Sequence, residues 1–138
     1  MAWVVVLWMG ALSACDIRHR RLPNALTLPG AAVILLAAAV AGRGWPALGG
    51  AAALTVIYLL VHLAAPAAMG AGDVKLAAGL GGLAGCFGVD VWFLAALGAP
   101  LLTGLCGAVG LVCGARSVPH GPSMCLATGA AVGLALSA

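Results

Sequence analysis

The stretch "GAGDVKL", residues 70–76, decides how this chain has to fold. It sets a carboxylate, Asp73, between apolar runs, and an ionisable group in such surroundings is costly unless it is paired or put to use. Only three acids occur in the 138 residues, Asp16, Asp73 and Asp90, and none is a glutamate. Where the other two fall relative to Asp73 decides what it can do.

Outward from this stretch the chain is 64% hydrophobic and 7% charged. It cannot cover itself with a charged, soluble surface, which excludes an ordinary soluble domain and leaves a membrane protein. A bilayer-crossing helix needs about 20 mostly apolar residues. Six runs approach that length, at roughly 2–16, 24–41, 48–65, 73–87, 91–113 and 122–137. The expected fold class is therefore all-α, a polytopic membrane protein with six transmembrane helices and a single domain over residues 1–138.

Fifteen residues at a rise of about 1.5 Å span only about 22 Å, less than a hydrocarbon core of about 30 Å. The first helix is therefore expected to run on past Asp16, leaving that acid just inside the interface while Arg18, Arg20 and Arg21 reach the headgroups. Asn24 is the expected N-cap of the second helix, and Pro29 should bend or tighten its first turn. The pairs Gly81/Gly85, Gly110/Gly114 and Gly129/Gly133 are spaced for close helix packing. Cys15, Cys86, Cys106, Cys113 and Cys125 form no CxxC pair and read as small buried hydrophobes. Leu12 to Cys15, "LSAC", has the look of a lipoprotein cleavage box, but its arginines follow the apolar stretch instead of preceding it, as in a span ending in the cytoplasm.

With six spans, Arg18, Arg20, Arg21, Lys75 and Arg116 lie on one side, Arg43 on the other, and the richer side is cytoplasmic. Two crossings separate Asp16 from Asp73, so both return to one face. Asp90 lies one crossing further on, in a short loop with Gly88, and drops out of the chemistry.

Singly, each acid has a structural reading: an ion pair with Arg18, Arg20 or Arg21 for Asp16, and helix capping for Asp73. Two acids on one face, at the ends of apolar runs, point instead to joint use. Neighbouring carboxylates resist double ionisation, so one keeps its proton while the other is charged. That pair supplies a general acid and a general base around one water, enough for attack on a peptide carbonyl. Gly70 and Gly72 add backbone freedom and room for another chain, so an extended substrate strand is expected there, or else a flexible break between spans. Lys75 reads as a partner for Asp73, a substrate ligand or an interfacial anchor. "VPHGP" is expected to form a rigid turn before the last helix, with His120 as a solvated loop histidine or, alternatively, a hydrogen-bonding neighbour of the acids.

"DIRHRRLPN" (Asp16 to Asn24), "GAGDVKL" (Gly70 to Leu76) and "VPHGPSM" (Val118 to Met124) resemble, in order and spacing, the three signature segments of the prepilin peptidases, GxGD-type aspartic proteases of bacterial inner membranes. The resemblance covers essentially the whole chain. It implies that Asp16 and Asp73 are the catalytic pair; Gly70, Gly72, Lys75 and Asn24 are the expected substrate contacts. It also implies prepilin or pilin-like substrates, cut at the cytoplasmic face between a short basic leader and an apolar helix. Only seven residues separate Asp16 from Asn24, with no cysteine-rich insertion of the kind that accompanies N-methylation in longer relatives. The compact form is similar to the small enzymes of Flp- or Tad-type pilus systems.

Nothing in the sequence calls for a cofactor, a metal or a nucleic-acid partner; the expected partners are the prepilin substrate and membrane lipid. Two other classes compete, a proton- or solute-conducting membrane subunit and a non-catalytic pilus assembly scaffold. The first needs an acid near mid-membrane and a polar path to both faces, and the middle stretches of the spans carry none.

Overall fold

Long apolar segments fold as helices because a helix satisfies each backbone N–H and C=O within its own segment. The computed structural model describes residues 2–67, 69–114 and 118–138; Arg116, placed above with the cytoplasmic cations, lies outside the described residues. Among the described residues there are six helices: α1 (Ala2–His19), α2 (Asn24–Val40), α3 (Gly44–Ala64), α4 (Ala71–Gly85), α5 (Val89–Val112) and α6 (Gly121–Ser137). Each expected run contains one helix, with ends displaced by four residues or fewer, and α1 does continue past Asp16. By length and composition α3 and α5 are able to cross a membrane.

The shortest helix, α4, is also the most enclosed. Nine of its fifteen residues are buried, and it packs against α2, α3, α5 and α6. Its neighbours shield it, so its length is free of the requirement to match a bilayer. Gly81 and Gly85 permit the tightest approach, to α3: a Cβ at Gly81 would stand 2.6 Å from the Gly50 carbonyl oxygen, and one at Gly85 2.6 Å from that of Pro46. This pair serves packing within the chain, as its spacing predicts. Gly133, by contrast, has open space around it.

Bulky apolar side chains face outward while the interior is largely small. Val40, Trp45 and Val112 are more than four-fifths exposed, whereas Ala47, Ala77, Ala84 and Ala99 are buried beside Leu12, Leu76, Leu80 and Met124. That inversion fits a bundle surrounded by lipid, where packing of small residues brings helices together. Two indoles lock helices across the core, each giving its N–H to a backbone carbonyl: Trp8 to Leu26 at 2.8 Å and Trp92 to Gly50 at 3.0 Å.

Three local expectations are corrected. The N-cap of α2 is Pro23, whose carbonyl accepts the Leu26 and Thr27 N–H groups, while Asn24 is already helical and its side chain is taken by Lys75. Pro29 lies inside α2 in its second turn, and the helix continues through it. All five cysteines are free, but only Cys125 is buried; Cys106 and Cys113 are exposed because α5 buries little beyond Val91, Ala95 and Ala99.

Candidate active site

The C-terminal end of α1 and the N-terminal ends of α4 and α6 meet at one end of the bundle. Gly70 is the N-cap of α4, so Asp73 occupies the third helical position, from which its Oδ2 accepts the Gly70 N–H at 3.3 Å. This half of a capping box satisfies one of the unpaired donors at the helix start and sets the carboxylate in the favourable end of the helix dipole. The capping reading of Asp73 is therefore right, and compatible with chemistry.

Asp16 is held by a different helix. Its Oδ2 accepts the N–H of Gly121, the first residue of α6, at 3.0 Å. The acid of α1 thus caps α6 from across the bundle, and a Cβ at Gly121 would stand only 2.7 Å from that same oxygen.

Each carboxylate is 8% exposed, and both line one cavity of about 300 Å³, close enough for their charges to repel. Gly72 and Lys75 line this cavity from α4 and Gly70 from its N-cap, with Arg20, Arg21 and Leu22 from the α1–α2 turn. The acids expected to share a face do share a site. Asp90 is exposed at the start of α5, at the opposite end of α4. Arg43 lies at that end too, donating from Nη1 to the Cys86 carbonyl at 2.8 Å, where a cation suits a helix C-terminus. A larger cavity there, about 550 Å³ between α3, α4 and α5, is lined by residues such as Pro46, Gly50, Trp92 and Phe93 and has no titratable side chain.

The four expected substrate contacts divide. Gly70, Gly72 and Lys75 border the acids; Asn24 borders a neighbouring depression, with Arg21 and Leu22 common to both. Lys75 Nζ donates to Asn24 Oδ1 at 2.8 Å, tying α4 to α2 at an exposed position. Gly70 has φ −75° and ψ 148°, open to any residue, so backbone freedom is not what its place requires. Gly72 lies close against the α1–α2 turn: a Cβ there would stand 3.1 Å from the Leu22 Cβ.

His120 is no solvated loop residue. In the turn before α6 it is half-buried, with Nε2 3.0 Å from Tyr58 Oη and Nδ1 2.6 Å from Thr103 Oγ1. Burial holds its pKa below the ordinary imidazole value, against the opposing pull of the Asp16 carboxylate. Sequence reasoning missed Gly121 as a ligand of Asp16, and Tyr58 and Thr103 altogether. Crossing parity would have put the "VPHGP" turn beside the acids; nothing local marks Tyr58 or Thr103, which sit inside apolar helices. His62, on α3, donates from Nδ1 to the Met69 carbonyl at 2.7 Å, steadying the segment before Gly70.

No curated protein and no solved structure matches the chain. The type IV leader peptidase family matches residues 3–136. A match of that extent carries the acids, the intervening helices and the "VPHGP" turn together, and membership implies a protease of a membrane-embedded family. With two buried carboxylates facing one cavity and nearly the whole chain aligned to one family, the protein belongs to the type IV leader peptidases.

Proposed function

We propose that the protein is an aspartic endopeptidase, a single peptidase domain of six spans in the bacterial inner membrane, that removes the basic leader from prepilin or pilin-like precursors at the cytoplasmic face. The observation that carries this function is the common cavity of Asp16 and Asp73. Repulsion between neighbouring carboxylates leaves one protonated and one charged. The charged acid takes a proton from water as its oxygen attacks the scissile carbonyl carbon, and the protonated acid gives its proton to the carbonyl oxygen. Collapse of the tetrahedral intermediate breaks the C–N bond: the acid that took the water proton gives it to the departing amine, and the other acid takes a proton from the intermediate's hydroxyl as the carbonyl re-forms. Each acid thereby returns to its starting state, and no metal or covalent enzyme intermediate is required.

Gly70 and Gly72 line the wall along which the extended peptide lies, and Lys75 with Asn24 bounds its entrance. The outward-facing apolar side chains favour contact with lipid and with the apolar helix of the substrate, while the leader stays in the cytoplasm. A conducting subunit would need its acid midway along the bundle, whereas both buried acids lie at one end.

The test is purified protein in detergent with a candidate prepilin, read by intact mass. Asp16→Asn and Asp73→Asn should each abolish cleavage while Asp90→Asn retains it, and the product should weigh less by the leader alone, without an added methyl group. Processing that survives either of the first two substitutions refutes the assignment.

A further inference from the structure

One imidazole joins three helices next to the acids, and the chemistry above gives it no bond to make or break. Thr103 Oγ1 of α5 stands 2.6 Å from His120 Nδ1, and the Tyr58 hydroxyl of α3 stands 3.0 Å from Nε2. A neutral imidazole donates from one nitrogen and accepts at the other, and each hydroxyl can do either, so both contacts are satisfied in either tautomer. Tyr58 is 5% exposed and packs on the imidazole at a centroid distance of 5.6 Å. The ring is thereby held from both sides.

The next residue along the chain is Gly121, the donor to Asp16. This adjacency matters because α1, which carries Asp16, makes its main helix contact with α6, whereas Asp73 belongs to α4. The placement of one acid relative to the other therefore runs through the start of α6. Both neighbours that hold His120, α3 and α5, pack on α4.

We propose that His120 is a positioning residue: clamped between Tyr58 and Thr103, it fixes the start of α6 so that the Gly121 N–H keeps the Asp16 carboxylate turned into the cavity it shares with Asp73. This inference rests on Asp16 and Asp73 being the catalytic pair. His120 touches neither water nor peptide in that arrangement and acts only through Gly121. Loss of the clamp leaves substrate binding intact and misaligns the attacking groups, so it lowers kcat and spares KM.

The experiment compares wild type, His120→Ala, His120→Gln, Tyr58→Phe, the double change His120→Ala/Tyr58→Phe, and Asp16→Asn, all purified in detergent and assayed on one prepilin. His120→Ala should lower kcat by about tenfold to a hundredfold with KM within about twofold, the scale expected for a displacement near 1 Å. Tyr58→Phe should lower kcat by about threefold to tenfold, and the double change should be no worse than His120→Ala, because Tyr58 acts through the imidazole. Gln, which both donates and accepts, should restore part of the rate.

Wild-type kcat in His120→Ala and Tyr58→Phe beside an inactive Asp16→Asn overturns the clamp and leaves the acids in place, as do losses that add in the double change. Cleavage by Asp16→Asn overturns the acid pair and the clamp with it. Should His120→Ala fail to fold, Tyr58→Phe decides alone: a fall in kcat at constant KM supports the clamp, and an unchanged kcat refutes it.

Discussion

The backbone N–H of Gly121 reaches the carboxylate of Asp16, 105 residues earlier in the chain, at 3.0 Å. A helix start is rich in unpaired donors, and here an acid from another helix occupies one of them. The contact works only because position 121 lacks a side chain, since a Cβ would approach the same oxygen to 2.7 Å.

Gly121→Ala should therefore push the Asp16 carboxylate aside and lower prepilin cleavage by about a hundredfold, as a small misplacement of a reacting group does. Gly133→Ala, on the same helix with nothing within 4 Å, should cleave normally. Initial rates of the two variants in detergent make the comparison, and normal cleavage by Gly121→Ala would show that Asp16 tolerates displacement.

Gly81→Ala should loosen the contact between α3 and α4. The new methyl would meet the Gly50 carbonyl oxygen at 2.6 Å and the Leu54 Cβ at 2.8 Å, both on a packed helix with little room to shift. Overpacking of this kind costs roughly 1–3 kcal/mol, so the melting temperature in detergent should fall. Gly49→Ala, which meets nothing within 4 Å, should equal or exceed wild type.

Lys75→Ala and Asn24→Ala each remove one end of the 2.8 Å bond between α4 and α2. The bond is exposed, so its loss should cost only about 1 kcal/mol of stability, and the double change should cost no more than either single one. If these residues also bound the substrate entrance, KM should rise roughly threefold to tenfold, the equivalent of one ordinary hydrogen bond. KM values equal to that of the wild type in all three variants would confine the pair to a structural role.

His120 imposes a pH dependence on stability whose sign follows from its environment. Burial lowers its pKa in the folded protein below the ordinary value of 6.5, opposed by Asp16, so folding favours the neutral ring. That contribution is fully present above pH 6.5 and is lost as pH falls through the lower, folded value. Melting temperature should accordingly decline on acidification more steeply in wild type than in His120→Gln. Parallel curves would mean that the ring accepts its second proton without cost.

Much of this arrangement was legible beforehand, for identifiable reasons. Six apolar runs became six helices because segment length and the demand for internal hydrogen bonding depend on local sequence alone. Counting crossings put Asp16 with Asp73 and removed Asp90 because parity needs no knowledge of packing angles. Asn24 was misread as a cap because its competing partner, Lys75, is 51 residues away. The cysteines of α5 were misread because composition does not say which side of a helix faces outward, and Cys106 faces out.

By itself the sequence determined an apolar helical chain with two acids returned to the same end, since run length, charge placement and crossing parity are properties of one dimension. Tertiary structure alone decided that Asp16 is held by the first amide of α6, that a histidine beside that amide is gripped by Tyr58 and Thr103, and that the short α4 occupies the centre. Those outcomes depend on the direction in which helix ends meet across the bundle. Such directions are set by the close approach that glycines such as Gly81, Gly85 and Gly121 permit, and no stretch of local sequence specifies them.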